Sequence, residues 1–465
     1  MSSAGTSATA DRFRVVNRNS VEALPQWQHV DPALQRGLRV VSTVLPFRTN
    51  RYVVDELIDW DAVPNDPMFR LTFPHRDMLE TADFDHMADL IDLDADREVI
   101  QRAANQIRNR LNPHPAGQMT DNVPMLEGQP VKGIQHKYRE TVLLFPSAGQ
   151  TCHAYCTYCF RWAQFVGRKD LRFAAPEVLP LIAYLERNPE VTDILVTGGD
   201  PLIMKTATLR RFIEPLLAVD QVVSIRIGSK ALAYWPKRFV TDNDADDLLR
   251  LFEEVCAAGK HLALMAHFTH PVELSTAPVQ QAIRRIRDTG ANIRLQSPIV
   301  RHVNDHAPVW IDMWRSGVRL GCVPYYMFIA RDTGAQRYFE IPLARCFEIF
   351  RDAYAGISGL ARTVRGPSMS ATPGKVHILG VAERPGDDVF VLQFLQARDQ
   401  GLVRQPFFAR FDAAATWFDD LVPATAADEP FFGNRSAGKP VTERTVPLPL
   451  LQARLHLHKT ATTHA

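Results

Sequence analysis

The chain has 465 residues, of which 46% are apolar and 23% are charged, and its formal net charge is +1. This balance gives no electrostatic basis for binding nucleic acid or an anionic membrane surface. No run of eighteen apolar residues occurs, so we expect no membrane-spanning helix. Residues 1–11 are small and polar without a secretory signal, and six cysteines suit a reducing compartment, so we expect a cytoplasmic protein.

Strand-like and helix-like segments alternate along the chain after residue 140. Short apolar runs predict six strands, at 141–145, 193–197, 224–228, 261–268, 293–299 and 323–329. The segments between them predict helices at 176–187, 207–219, 244–258, 278–289 and 309–316, the first of them with Pro176 at its first position. This alternation predicts an α/β protein with a parallel sheet and helices outside it, in the form of a partial (β/α)6 TIM-like barrel.

The rest of the chain is divided around this barrel. We expect a mobile tail over 1–35, an N-terminal helical region over 36–135, the barrel over 136–335, a further region over 336–385 and an extension over 386–465. Aromatic residues at 407–418 and 431–432 are predicted to pack as core, as a lid or as a subunit contact.

Three cysteines lie within eight residues, directly after the first predicted strand. Cys152, Cys156 and Cys159 have the spacing Cys-x-x-x-Cys-x-x-Cys. Closely spaced thiolates can bind one iron–sulfur cluster, and three ligands for four irons leave one iron open to a small molecule. A zinc site is the alternative, with a fourth ligand from His153, Cys256, Cys322 or Cys346.

Glycine-rich turns follow the next two predicted strands. Gly198, Gly199, Asp200 and Pro201 follow the second strand, and Ile227-Gly228-Ser229-Lys230 ends the third. A glycine pair lets the backbone approach a ligand closely, and chemistry in barrels lies at the carboxyl ends of the strands.

The cysteine spacing and the glycine-rich turn together resemble the radical S-adenosylmethionine (SAM) enzymes. The resemblance implies a [4Fe-4S] cluster whose open iron binds SAM. It also implies that one electron, from a donor such as flavodoxin or ferredoxin, cleaves SAM to a 5′-deoxyadenosyl radical that abstracts hydrogen from carbon.

Longer matches in the same order resemble the lysine 2,3-aminomutase family over residues 40–385. The matching stretches are 64–67, 136–139, 152–161, 195–200, 226–229, 267–271, 296–297, 303–305 and 324–326. By this resemblance, Gly198 to Pro201 together with His267 and Gln296 bind SAM, and Arg161 binds a substrate carboxylate. A guanidinium suits that role because its donors are arranged as a planar fork.

The match fails where the family attaches pyridoxal phosphate (PLP). The family's lysine ends a glycine run, whereas residues 363–376 contain no such run, and Lys375 is predicted to lie in a separate Pro-Gly-Lys-Val turn. Tyr138 matches a tyrosine near PLP. Asp332 stands near a family carboxylate that holds the lysine side chain, but Arg331 beside it opposes a cationic substrate.

The sequence therefore predicts a radical SAM enzyme that acts on a small amino-acid-like molecule without PLP, with Arg161 and Asp332 as its catalytic residues. A PLP-dependent 2,3-aminomutase with a relocated lysine and a non-catalytic zinc or redox-cluster protein stay open. We expect no nucleic acid or membrane partner, and a homo-oligomer is open.

Overall fold

The computed structural model describes residues 12–111, 119–384 and 388–433. In these ranges the strands are β1 (Val15–Asn17), β2 (Arg48–Asn50), β3 (Met125–Leu126), β4 (Gln129–Pro130), β5 (Ile134–Tyr138), β6 (Thr141–Leu144), β7 (Asp193–Val196), β8 (Ser224–Ser229), β9 (His261–His267), β10 (Asn292–Ile299), β11 (Val323–Ile329), β12 (Arg365–Ser370), β13 (Gly374–Ala382), β14 (Val389–Ala397) and β15 (Pro406–Arg410). The α-helices are α1 (Pro32–Val41), α2 (Pro67–Thr72), α3 (Thr81–Asp92), α4 (Arg97–Arg110), α5 (Leu179–Glu186), α6 (Thr206–Leu217), α7 (Ala231–Tyr234), α8 (Ala245–Ala257), α9 (Ala277–Asp288), α10 (Ala307–Arg319), α11 (Gln336–Phe339), α12 (Leu343–Ala355) and α13 (Glu429–Phe432). None of the helices in the described ranges is long and apolar enough to cross a membrane.

Eleven strands, β5 to β15, form one sheet in which they lie side by side in chain order. Neighbours from β6 to β12 are parallel, whereas β5 and β13 to β15 join antiparallel. At least one helix connects each parallel strand to the next, because parallel strands need a crossover connection. The predicted α/β class is therefore confirmed.

The six predicted strands correspond to β6–β11, each to within one residue at either end. The helix predicted to start at Pro176 is wrong at that end, since α5 begins at Leu179 with Pro180 in its first turn. The reason is that the preceding chain is still extended: the Ala175 amide donates to the Phe145 carbonyl at 2.7 Å.

The sheet curves so that its two ends approach each other. Strand β14 contacts β5, although eight strands separate them in the strand order. Side chains join the same two ends: Arg139 donates to the amide oxygen of Gln400 at 3.1 Å, and Gln400 donates to Glu140 at 2.7 Å. The curved sheet therefore encloses an interior.

The C-terminal part adds strands and core to this sheet. Phe407 on β15 stacks on Phe431 with ring centroids 4.7 Å apart, and Phe418 stacks on Phe432 at 5.0 Å. All four rings are buried, so this aromatic group is core, which was one of its three predicted roles. Residues 434–465 lie outside the described residues.

The prediction of a mobile tail over residues 1–35 is wrong for its described part. Strand β1 pairs antiparallel with β2, and Val16, Leu24 and Trp27 are buried. Phe13 packs edge-on against Trp235, with ring centroids 5.1 Å apart. Apolar burial of this kind fixes the segment against the sheet. Residues 1–11 lie outside the described ranges.

Candidate active site

The curved sheet encloses a cavity of about 820 Å³. Alternate residues of strands β6 to β9 line it, for example Leu143 on β6, Leu195 on β7, Arg226 on β8 and Met265 on β9, and Gln296 on β10 lines it as well. This alternation follows from the two-residue period of side chains along a strand. The three predicted cluster cysteines, Cys152, Cys156 and Cys159, line the same cavity.

The cysteine loop, residues 149–161, is held in place by the N-terminal region. The Tyr155 amide donates to the Arg48 carbonyl on β2 at 2.7 Å, and the Thr157 amide donates to the Leu71 carbonyl on α2 at 3.0 Å. The side-chain amide of Asn50 donates to the His153 carbonyl at 3.1 Å. These hydrogen bonds hold the backbone of the loop against β2 and α2.

The glycine-rich turn after β7 supports the loop from the other side. The Asp200 amide donates to the Thr151 carbonyl at 2.7 Å, and the Gly199 amide donates to the Gly149 carbonyl at 3.0 Å. A Cβ on Gly199 would lie 2.5 Å from the Thr151 oxygen, so only glycine permits this contact. Gly198 and Gly199 also line the cavity.

Asp200 faces the cavity, but its carboxylate fixes the turn to the end of β8. It accepts from the Ser229 hydroxyl at 2.8 Å, from the Lys230 amide at 2.9 Å and from the Leu202 amide at 2.9 Å. Burial raises the pKa of Asp200 to about 6, although these hydrogen bonds act to lower it. Pro201 is buried behind the turn and is not among the lining residues, so its predicted contact with SAM is not supported.

His267 and Gln296 are neighbours on the inner face of the sheet. They are partners in the register of β9 and β10, and both line the cavity. The His267 Nδ1 lies 3.3 Å from the Tyr158 hydroxyl. Burial, together with the nearby charge of Lys230, lowers the pKa of His267 to about 3, so the imidazole is neutral. The two predicted SAM-pocket residues are thus brought together.

Arg161 ends the cysteine loop with its guanidinium in the cavity. The side chain is only 8% exposed, and it lies over the Phe145 ring at 4.3 Å from the centroid. Its Nε and Nη2 have no hydrogen-bond partner. Burial lowers the pKa of Arg161 to about 10, although the nearby Cys159 and Cys152 act to raise it. Two buried, unpaired donors on one cation form a site for a carboxylate.

Asp332, which the sequence predicts as a catalytic residue, is not among the residues that line the cavity. Its Oδ1 lies 3.5 Å from the Nε of Arg331, which does line the cavity. Both residues lie in the loop that follows β11, which ends at Ile329. The position of Asp332 therefore gives its predicted catalytic role no support.

Lys375 is not in a free turn, as the sequence suggested, but is the second residue of β13 and lines the cavity. Its Nζ donates to the Tyr326 hydroxyl at 3.4 Å and lies over the Tyr326 ring at 4.4 Å. Burial, together with Arg226 and Arg365, lowers the pKa of Lys375 to about 7, although Tyr325 and Asp193 act to raise it.

We expect Lys375→Met to stabilise the cluster-free protein at pH 7 and to lose this advantage as the pH rises to 10. Between the folded pKa of about 7 and the ordinary value of 10.5, the unfolded lysine binds the proton more tightly. Unfolding free energy of the parent protein therefore rises with pH in that window. Chemical denaturation of both proteins at pH 7, 8, 9 and 10 measures this, and parallel pH curves would contradict it.

A lysine and a tyrosine near Cys156, Lys230 and Tyr234, were not predicted as site residues. The Lys230 Nζ lies 2.6 Å from the buried Glu273 carboxylate and over the Tyr234 ring at 4.6 Å. The Tyr234 hydroxyl lies 3.4 Å from the Cys156 sulfur. Burial raises the pKa of Cys156, while Lys230 and the Tyr234 hydroxyl lower it. The sequence signal for Lys230 was its place at the carboxyl end of the third predicted strand.

The chemistry of the three cysteines fits the iron–sulfur cluster that their spacing implies. Burial and mutual repulsion raise the pKa values of Cys152 and Cys159, so three thiolates here need a cationic group to balance them. In the described ranges no three His, Cys, Asp or Glu side chains converge on a single ion. Thiolates of a four-iron cube each bind a different iron, so a cluster does not require such convergence. The proposed fourth zinc ligands, His153, Cys256, Cys322 and Cys346, do not line the cavity.

Comparisons with known proteins identify relatives over most of the chain. An Aquifex aeolicus (strain VF5) protein described as "Putative L-lysine 2,3-aminomutase" is 30% identical over 413 residues, which are 89% of this chain and 96% of that protein. The L-lysine 2,3-aminomutase of Fusobacterium nucleatum is 28% identical over 58% of this chain and 61% of its own length. That of Clostridium subterminale is 29% identical over 50% of this chain and 52% of its own length.

Two further comparisons add little. No protein-family model matches the chain. The solved structure of TsrM, a radical SAM methyltransferase from Kitasatospora setae with cobalamin and a [4Fe-4S] cluster bound, covers 40% of this chain and 37% of its own, at 13% identity and a TM-score of 0.27. That likeness is too weak to carry an argument. The Aquifex relative, matched along almost its entire length, shows that this chain belongs to the lysine 2,3-aminomutase family of radical SAM enzymes.

Proposed function

We propose that this protein binds a [4Fe-4S] cluster through Cys152, Cys156 and Cys159, cleaves SAM and abstracts hydrogen from a small amino-acid-like substrate without PLP. The observation that carries the proposal is that the three cysteines and the unpaired guanidinium of Arg161 face one enclosed cavity. When bound, the cluster and SAM supply the electron and the hydrogen-abstracting radical, and a low-potential protein such as flavodoxin or ferredoxin is the proposed donor.

We further propose that β6–β11 form a partial (β/α)6 barrel around this chemistry. The parallel, sequential strand order, the inward alternation of side chains and the approach of β14 to β5 support that architecture. The cysteine loop and the glycine-rich turn both follow the carboxyl ends of their strands, where barrel enzymes carry their active sites.

The residues of the chain take separate roles in this proposal. Gly198, Gly199, His267 and Gln296 line the SAM side of the cavity, while Asp200 fixes the turn that supports the cysteine loop. Arg161 binds and orients the substrate carboxylate. The neutral imidazole of His267 can donate or accept a hydrogen bond there without adding charge.

A PLP-dependent 2,3-aminomutase is the second candidate. The observation on its side is the cavity-facing amine of Lys375, whose lowered pKa makes it available as a nucleophile at neutral pH. Against it stands the segment 363–376, which lacks the family's glycine run.

The experiment is anaerobic cluster reconstitution, reduction in the presence of SAM, an assay of 5′-deoxyadenosine and a spectrum after addition of PLP. We expect deoxyadenosine and no borohydride-reducible PLP band. Deoxyadenosine with such a band, lost in Lys375→Met, would replace the main proposal by the second candidate. Absence of both the cluster and deoxyadenosine would overturn both candidates.

A further inference from the structure

The walls of the cavity carry far more positive than negative charge. Eight lysines and arginines line it, whereas the described residues that line it include only two acids, Asp193 and Asp200. The Asp193 carboxylate accepts hydrogen bonds from the Nε of Arg226 at 2.8 Å and from the Ser224 hydroxyl at 2.6 Å. The Asp200 carboxylate accepts from the Ser229 hydroxyl and the Lys230 amide, as described above. Neither acid is left to balance the other cations.

Four of the remaining cations form a group that we call the basic cluster: Lys137 on β5, Arg331 after β11, Arg365 on β12 and Lys375 on β13. Lys137 and Lys375 repel each other, Arg331 repels Lys137, and Arg365 repels Lys375. Contacts place the four charges on one side of the interior. Arg365 and Lys375 lie over the same Tyr326 ring at 4.8 and 4.4 Å, and Ser370, the register partner of Lys375, is followed by Ala371; their carbonyls accept from Arg331 and Lys137.

The basic cluster is satisfied mostly by neutral groups. Lys137 donates to the Ala371 carbonyl, and Arg331 donates through Nη1 to the Ser370 carbonyl at 2.5 Å. Arg365 lies over the Tyr325 ring at 4.3 Å. The Arg331 Nη2 is buried without a hydrogen-bond partner, and the nearest acid, Asp332, is 3.5 Å from Nε.

Burying several cations without matching anions is costly, and such a group persists when a ligand supplies the missing charge. Buried charged donors also discriminate strongly between ligands, since a ligand that leaves them unpaired loses their hydrogen bonds. Arg161, which is unpaired as well, lines the same cavity. The cavity thus contains two places for anions, of which the proposed function uses one.

We propose that the basic cluster binds a second anionic group, a carboxylate or a phosphate, so that the enzyme acts on an acidic amino-acid-like molecule and not on lysine. This inference rests on the proposed function for the role of Arg161. The second anion belongs to the side chain of the substrate, because the proposed function has no PLP. A cationic lysine side chain would be disfavoured beside the basic cluster by like charge.

The test is calorimetric titration of the anaerobically reconstituted protein with L-glutamate, O-phospho-L-serine, L-lysine and PLP. We expect L-glutamate or O-phospho-L-serine to bind about tenfold or more tightly than L-lysine. Lys137→Met and Arg331→Met should each weaken the binding of that acidic amino acid by about tenfold or more. Lys132→Met, an exposed lysine outside the cavity, is the matched control and should leave the affinity unchanged.

The melting temperature of each variant shows whether it folds. Because Lys137 is buried among other cations without an anionic partner, ligand-free Lys137→Met should melt at or above the temperature of the parent, and it carries the test if Arg331→Met does not fold. Weakened binding of the acidic amino acids assigns the second anion to the substrate, whereas weakened binding of PLP alone would overturn the inference.

Two further results would overturn the inference: L-lysine binding as tightly as both acidic amino acids, or acidic amino acids whose affinity is unchanged by both variants. Failure of the proposed function is distinguishable, because it removes 5′-deoxyadenosine formation from the parent protein while the variant-sensitive anion binding persists.

Discussion

Replacing Cys156 by alanine is expected to reduce 5′-deoxyadenosine formation to below about one-thousandth of the parent rate. The three cysteines face one cavity, so the loss of any one removes a ligand that the remaining residues of the wall cannot replace. Iron content per chain should fall in parallel. The measurements are the deoxyadenosine yield and the bound iron after anaerobic reconstitution.

Cys256→Ala is the matched control, because Cys256 lies on α8 outside the cavity. It should keep both the iron and the activity. A Cys156→Ala protein that retains four irons and full SAM cleavage would show that the cluster lies elsewhere in the chain.

Gly199→Ala is expected to have the second large effect, because the added Cβ would lie 2.5 Å from the Thr151 carbonyl oxygen and 2.6 Å from the Thr151 nitrogen. Backbone atoms cannot give way as a flexible side chain does, so the cysteine loop must move or the turn must open. We expect a loss of about 3 kcal/mol in unfolding free energy, together with poor cluster assembly. Chemical denaturation and bound iron measure the two effects.

A control for this substitution exists at Gly359, where an added Cβ would meet nothing within 4 Å and the backbone is not left-handed. Gly359→Ala should keep the stability and the iron content of the parent. If Gly199→Ala behaves like Gly359→Ala, then the glycine-rich turn does not support the cysteine loop as the structure indicates.

The strands of the barrel could be predicted because their signal is local. Apolar runs such as 261–268 are bounded by helices and turns, and β9 at His261–His267 agrees with that run. Strand β12 was missed because Gly366, Pro367 and Ser368 interrupt any apolar pattern. Its place in the sheet comes from pairing with β11 and β13, which is tertiary structure that propensity does not report.

Strand β14 was missed for a different reason. The run Val389–Ala397 is rich in Val, Leu and Phe and carries an ordinary strand signal, but it was interpreted only as part of an extension. Its partner β13 includes Lys375, so placing this hairpin would also have drawn attention to that lysine.

The candidate site was predictable where the spacing of a motif fixes which residues share a loop. The cysteines and Arg161 come together because the ten residues 152–161 belong to one short loop. The orientation of Lys375 was not predictable, because a shift of one residue along a strand reverses the face that a side chain occupies. The basic cluster likewise depends on which face of β5, β12 and β13 is turned inward.

The most direct measurement of the central claim is the electron paramagnetic resonance spectrum of the reduced, reconstituted protein with and without SAM. Three cysteine ligands leave one iron of the cluster open, so we predict a [4Fe-4S] signal whose g-values shift when SAM is added. A cluster signal that SAM does not change would contradict the claim, as would a protein that binds zinc and no iron at the three cysteines.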